Sequence, residues 1–459
     1  MRIKKKIATK NKPMSNHKSK KLLYLEKILK TMSSLVLKRY RPWVIGITGS
    51  VGKTSTKEAV FSILASHFRV RKSEKNYNNE IGIPLTIIGS ESGGNSIFGW
   101  MLVFLKWFSI MVFPIKYPEI LVLEMGADRP GDLKYLSSFI KLKIAIITDV
   151  SDSHLEFFKS IENVAKEKGT LARNLREKSL SILNIDNPHI RKMKSQLKSK
   201  IITFGFSEDS DVRATDIGFN YVSEENGLLL SKENRKIKGI SFKLNYKGTI
   251  IPVRLNNVLS RHNVYSALAG ICAGIEMGIN LVEIATSLEN FCLPFGRMNL
   301  IRGIKNSFII DDTYNSSPVS SGAALEVLGE IEAGRKIAVL GDMLEIGANT
   351  ETGHRQVAKI FLEIGGNIFF AVGERMKFAA DELQKRGFNQ ENLYIFENPM
   401  DAGRKLQEIM RERDLILVKG SQGMRMEKVV EEVMAEPNKS GMYLCRQSRT
   451  WKEKPWKKV

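Results

Sequence analysis

WVIGITGSVGKTSTKEAVFSILAS, residues 43–66, is the stretch that decides the fold. Trp43 to Thr48 is apolar and rich in β-branched residues, which suits a buried strand. Gly49 and Gly52 follow, then Lys53, Thr54 and an uninterrupted helical run to about Ser66. A strand, a glycine turn and a helix N-terminus aim successive backbone N–H groups at an anion. The glycines let the backbone wrap phosphates without Cβ clashes. Lys53 can reach the β and γ phosphates of a nucleotide, and the Thr54 hydroxyl can sit on Mg²⁺. Ile47 stands where the strict G-x-x-x-x-G-K-[ST] motif has its first glycine, so the signal is the shorter G-x-x-G-K-T. A glycine turn beside a helix carrying a solvated lysine is the competing reading.

Two further segments bear on that loop. In ILVLEMGAD (120–128) the run to Leu123 reads as a buried strand with Glu124 at its carboxyl edge. Ligands of open α/β sheets bind at such edges, and a carboxylate there can hold the Mg²⁺ that bridges nucleotide phosphates. In ITDVSDSHLEFF (147–158) the strand from about Lys143 to Thr148 is followed by His154. Lys168 lies in VAKEKGTL (164–171), a helical stretch. A cationic lysine is a poor metal ligand; Lys168 serves only if deprotonated or carbamylated.

The chain resembles the Mur ligase family from about residue 43 to about residue 435. The markers are TGSVGKTSTKE (48–58), NYNNEIGIPLT (76–86), LEMGADRPGDL (123–133), HLEFF (154–158), EKGTL (167–171), LNIDNP (183–188), LSRHNVYSALA (259–269), FGRMNLI (295–301), IDDTYNSSPVS (310–320), VLGDMLEIGANTETGHRQV (339–357) and LVKGSQGMRMEKVV (417–430). The DDTYNSSP, GDMLEIG and VKGSQGMRME segments favour the branch that adds D-alanyl-D-alanine to a UDP-N-acetylmuramoyl tripeptide in peptidoglycan precursor synthesis.

That resemblance implies an ATP-dependent amide ligase working through an acyl phosphate. It places the nucleotide on Gly49, Ser50, Gly52, Lys53, Thr54 and Ser55, with Asn184 and Asp186 beside it. Asn263 is implied at the adenine, Arg297 at phosphate near the domain hinge, and Asp312 at the ribose. One Mg²⁺ falls to Thr54 and Glu124, a second to His154 and a carbamylated Lys168. Lys53, His154, Lys168 and Arg297 are the implied catalytic set. Each residue also has a plain structural reading: Asn263 a helix cap, Arg297 a surface arginine, Asp312 a turn cap.

The expected fold is α/β: a central P-loop ATPase domain with a mostly parallel sheet (42–296), then a Rossmann-like α/β domain (297–436). Residues 205–255 read as a small antiparallel appendage. His354 reads as structural or orienting, not as a base.

Charge is concentrated at the ends. Residues 1–41 carry +13 and residues 446–459 carry +5, which leaves only +4 of the total +22 for the body. Composition therefore gives the body no nucleic-acid-binding surface; the tails suit anionic lipid, nucleic acid or solvated disorder. Three cysteines without metal spacing suit a reducing cytoplasm, and a monomer is expected. Residues 437–459 read as a loose basic tail.

Two departures from the family pattern stand out. Lysine-rich residues 1–41, with one amphipathic helix over about 21–38, occupy the place of the usual UDP-binding domain. IFGWMLVFLKWFSIMVFPI (97–115) is an apolar insertion of borderline length for a membrane span. It reads as a membrane-surface helix, a re-entrant hairpin, or a buried or partner-covered helix, and peripheral contact with the inner face of the membrane follows from the first two. Two other functions stay open: a related ligase for another carboxylate and amine, of the poly-amino-acid or folyl-glutamate kind, or a nucleotide-regulated membrane-associated protein without catalysis.

Overall fold

The computed structural model describes residues 20–74, 77–151, 155–223, 235–454 and 456. His154 lies outside them, as do residues 1–19.

Two mixed sheets organise the chain. The first runs β2-β3-β1-β4-β5-β6-β7-β8-β9. Its strands are β1 (Trp43–Thr48), β2 (Val70–Lys72), β3 (Ile120–Glu124), β4 (Ile144–Ile147), β5 (Leu180–Asn184), β6 (Lys200–Gly205), β7 (Val212–Ser223), β8 (Arg235–Tyr246) and β9 (Thr249–Asn256). β3 and β5 are buried along their whole length, as strands covered on both faces must be. Register sets the site: Ile47 pairs with Glu124, and Thr48 with Ile147. The carboxyl ends of β1, β3 and β4 therefore meet at one edge.

On one face of this sheet lie α2 (Lys53–Leu64) and the helix His262–Glu276, with Ile45, Ile47, Ile63 and Leu268 in their core. The other face carries α1 (Lys20–Tyr40), α3 (Gly82–Ile88) and α4 (Ile97–Val112). There Leu29, Met32 and Val36 of α1 pack with Leu121 and Leu123 of β3.

The second sheet runs β10-β11-β15-β12-β13-β14. Its strands are β10 (Asn299–Arg302), β11 (Phe308–Asp312), β12 (Arg335–Gly341), β13 (Ile368–Val372), β14 (Leu393–Phe396) and β15 (Asp414–Lys419). All neighbours are parallel except β10 with β11.

Three expectations change. The antiparallel strands β7–β9 are no separate appendage, because β7 pairs in parallel with β6 and extends the central sheet. Residues 437–454 are not loose. They form short helical turns, bury Leu444 and Cys445, and send Arg446 to Glu427 at 2.9 Å and to the carbonyl of Thr313 at 3.0 Å. The buried Glu427 also meets Arg425 at 2.5 Å, and Arg425 donates to Trp451 O and Lys454 O at 2.6 Å, so both arginines tie this segment down. Finally, the 97–115 insertion holds one helix, Ile97–Val112, capped by Ser96, whose side chain accepts from Gly99 N. It is neither a hairpin nor a buried helix: only Val103 and Ile110 are buried. Among the described residues, no helix is long and apolar enough to cross a membrane.

Candidate functional site

The site begins where β1 turns into α2. Gly52 has φ 83, a left-handed conformation that favours glycine. At Gly49 a Cβ would stand 2.0 Å from Thr148 Oγ1, so only glycine lets the loop pass this close to β4. The loop is held there by Thr148, which donates to Val51 O at 2.6 Å, and by Ser50 N, which donates to Asp149 O at 2.9 Å. Ser50 Oγ also donates to Ser151 O and accepts from Ser151 N. Lys53 folds back over the loop, donating to Gly49 O at 2.6 Å and Ser50 O at 3.2 Å. Thr54 and Ser55 follow in the first turn of α2, half-buried. Burial lowers the Lys53 pKa, against the opposing pull of Glu124.

Glu124 ends β3 and is buried. Its carboxylate lies 3.7 Å from Lys57 Nζ and accepts from Asn78 Nδ2 at 3.4 Å. Neither Lys57 nor Asn78 was singled out from the sequence. Lys57 stands one turn after Lys53 on α2, so helical spacing alone puts both on the face toward β3.

Lys168 sits on the helix Ile161–Arg173 and is 2% exposed. Burial, reinforced by the nearby charge of Lys53, lowers its pKa to about 7, while Asp149, Asp128 and Glu167 oppose the shift. The neighbouring Glu167 accepts from Gly131 N and Leu133 N, both at 2.9 Å. That pair of bonds pins the helix against the GADRPGD turn. Lys53, Glu124 and Lys168 thus come to one sheet edge. His154 falls outside the described residues, and its part in the site goes undescribed.

Asn184 ends β5 and donates to Thr148 O at 2.9 Å, tying β5 to the strand behind the loop. Asp186 anchors the structure: it accepts from Phe206 N at 2.6 Å, from Ser207, and from the Tyr265 hydroxyl at 2.9 Å. Asn263 lies inside the first turn of its helix, so it is not an N-cap; Arg261 holds that position without a side-chain bond. The same helix packs on α2, where Thr56 donates to Ser266 Oγ at 3.3 Å. Sequence reasoning missed His262, which burial lowers while Asp149 opposes, and Tyr265, stacked on Phe206 at 4.1 Å.

From the second unit, Arg297 lies over the Tyr314 ring at 4.1 Å and is near enough to Lys53 for its charge to lower that lysine further. It is therefore not an isolated surface arginine. Asp312 ends β11 and forms a buried ion pair with Lys419 at the end of β15. Lys419 also donates to Asn315 O at 2.9 Å. His354 is buried; its Nε2 accepts from Met343 N at 3.0 Å and its Nδ1 meets Thr350 O at 2.6 Å. With both nitrogens engaged, it orients the GDMLEIG turn.

Among the described residues, no group of three or more His, Cys, Asp or Glu could hold a metal by itself. Nucleotide-bound Mg²⁺ does not require one, since it takes one or two protein oxygens and fills the rest of its shell with phosphate and water. The buried Glu124 carboxylate at the loop's edge, with the Thr54 hydroxyl on the loop's helix, fits that donor set.

A glycine loop between strand and helix, a buried carboxylate on the adjacent parallel strand and a second α/β unit reaching in with an arginine define a two-unit P-loop nucleotide-binding protein. Residues 47–98 and 108–274 match the Mur ligase middle domain, and residues 296–422 match the Mur ligase, glutamate ligase domain. The UDP-N-acetylmuramoyl-tripeptide–D-alanyl-D-alanine ligase of Bacillus subtilis is 30% identical over 411 residues, covering 89% of this chain and 79% of that protein. The Escherichia coli ligase of the same name is 29% identical over 84% of this chain and 77% of its own length. A MurF structure from Acinetobacter baumannii superposes with a TM-score of 0.70 at 25% identity, covering 89% of this chain and 79% of that one. The chain belongs to the Mur ligase family.

Proposed function

We propose that the protein is the ATP-dependent amide ligase that joins D-alanyl-D-alanine to UDP-N-acetylmuramoyl tripeptide in peptidoglycan precursor synthesis. The observation that carries this reading is the convergence of Lys53, Glu124 and the low-pKa Lys168 on one sheet edge, with Arg297 arriving from the second unit. The names of the relatives supply the substrates.

In this reading the tripeptide carboxylate attacks the γ-phosphorus of ATP, ADP leaves, and an acyl phosphate forms. The dipeptide amine then attacks the acyl carbon, phosphate leaves, and the amine's proton is lost to give the amide. Backbone N–H groups at the start of α2, including those of Thr54 and Ser55, cradle the phosphates, while Ser50 holds the loop in place through its N–H on Asp149 O. Lys53 and Arg297 offset charge on the transferring phosphoryl group, where fixed cations contribute most. Asn184 keeps β5 against the loop, Asn263 faces adenine and Asp312 the ribose. Thr54 and Glu124 would hold one Mg²⁺, and His154 with Lys168 a second; bound there, the ions withdraw electron density from the phosphate and carboxylate oxygens. Lys168 suits that role because, with a pKa of about 7, much of it is the neutral amine that adds CO₂, releasing a proton, to give an anionic carbamate. The protein is taken to work as a monomer in the cytoplasm, in contact with the inner face of the membrane.

The test is phosphate release from ATP and Mg²⁺ with the tripeptide and dipeptide substrates, separately and together. Release only with both, and a pentapeptide product by mass, is expected. Turnover with another carboxylate and amine but not this pair would overturn the substrate assignment.

A further inference from the structure

α4 presents an apolar face that the ligase reading does not use. Phe98, Met101, Leu102, Leu105, Phe108 and Val112 are each between 47% and 63% exposed. At 100° per residue they fall within about 120° of the helix circumference, so they form one continuous stripe. A contiguous exposed apolar patch of this kind marks an interaction surface.

The stripe cannot turn inward. The opposite side of α4 buries Val103 and Ile110. Trp107 Nε1 donates to Met32 O of α1 at 3.0 Å, and the Tyr40 hydroxyl donates to Ile110 O at 2.7 Å. Tyr40 in turn stacks on Tyr117 at 4.5 Å. The helix is thereby fixed against α1 at both its middle and its end. The match to the Mur ligase middle domain breaks over residues 99–107, the centre of α4, so the shared domain does not account for this face.

Cations outnumber acids around the stripe, and the nearest acids in sequence, Glu91 and Glu119, are exposed beyond the two ends of the segment. From Ser92 to Pro118 there is no Asp or Glu, while Lys106 and Lys116 are exposed. α1 brings Lys20, Lys21, Lys27, Lys38 and Arg39, all exposed, against a single acid, Glu26, which is buried. Arg39 and Arg41 flank the tyrosine that grips the end of α4.

We propose that this face of α4, with its basic surround, docks the protein on an anionic lipid surface. The proposal deepens the membrane contact named above and rests on that reading only for the side of the membrane involved. Lipid fits better than a neutral protein surface because the charged groups of α1 and of the α4 segment are mostly exposed cations, Lys106, Lys116 and those of α1, with the exposed Glu91 and Glu119 lying beyond the two ends of the segment, so the flanks complement an anionic headgroup layer. An apolar helix face with basic neighbours is the arrangement that lies in the headgroup boundary, where the apolar contact and the electrostatic attraction together give stable attachment. At 16 residues the helix is about 24 Å long, too short for the hydrocarbon core of about 30 Å, so it lies on the bilayer and does not span it.

The test uses the full chain in co-sedimentation with vesicles of phosphatidylcholine alone, or of phosphatidylcholine and phosphatidylglycerol in equal parts. Pelleting with the anionic vesicles at low salt is expected, with little on the neutral ones and less as salt rises. L105E/F108E, both positions solvent-exposed, should weaken binding at least about tenfold while its circular dichroism and substrate-dependent phosphate release stay as in the parent. Wild-type protein left in the supernatant would overturn the proposal. So would a double variant that pellets like the parent, since the basic segments alone would then hold the lipid. A dimer that L105E/F108E dissociates, without vesicle binding, would reassign the face to self-association. Phosphate release measured on the same preparation keeps failure of docking distinct from failure of the ligase reading.

Discussion

Replacing Lys168 with methionine tests the electrostatics of the site without depending on turnover. The two side chains are close in length, and only one can carry a charge. Folding moves the lysine from 10.5 to about 7, chiefly by burial. The charged form is thus disfavoured in the folded state, and the difference is about 5 kcal/mol as an upper bound at 1.36 kcal/mol per unit. Below about pH 7 the lysine is protonated in both states and this cost is present in full. Between about pH 7 and 10.5 the folded protein has released the proton while the unfolded chain still holds it, so stability rises with pH through that window. Above 10.5 the cost is gone. Lys168→Met never bears it. In metal-free, bicarbonate-free buffer the variant should melt at least about 5 °C above the wild type near pH 6, and that gap should shrink steadily towards pH 10. Differential scanning calorimetry at several pH values reads it directly. A gap of constant size across the range would refute the reasoning, because it would mean the lysine titrates alike in both states. The variant should also lose ligation at every pH.

Other perturbations test the remaining parts of the site. Lys53→Met should lower kcat for phosphate release by about 10²–10³-fold with unchanged circular dichroism; wild-type rates would remove Lys53 from the chemistry. Gly49→Ala sets a Cβ 2.0 Å from Thr148 Oγ1, so binding of a fluorescent ATP analogue should weaken sharply and recover in part when Thr148→Ala is added; no recovery would mean the clash lies elsewhere. Asp312→Asn and Lys419→Met should each destabilise by about 3–5 kcal/mol, because each strands a buried partner, and the double variant should lose less than the two together. Strict additivity in denaturant titrations would show that the pair is not coupled.

Much of this architecture is readable along the chain. The run from Trp43 to Thr48 and the glycines after it announce a strand and phosphate loop, and the structure has that strand over Trp43–Thr48. Glu124 at the end of an apolar run, and Lys168 on a helix, were legible too. Other residues were not. Lys57 and Asn78, which meet Glu124, look like any other polar residues until β3 is laid beside β1. Lys419 is more than a hundred residues from Asp312, and only the pairing of β11 with β15 makes them partners. The C-terminal segment read as loose because its composition is basic, yet Arg446 lies in a buried pair with Glu427.

By itself the sequence determined the elements and the loop chemistry: which runs are strands, where glycine is required, and which motifs belong to a Mur ligase. Tertiary structure decided which charges meet, that β7–β9 extend the central sheet, and that α4 turns its apolar side to solvent. The division is physical. Periodicity, turn formation and helix starts depend on residues a few positions apart. Ion pairing and burial depend on strand order and register, which bring together side chains that no local pattern links.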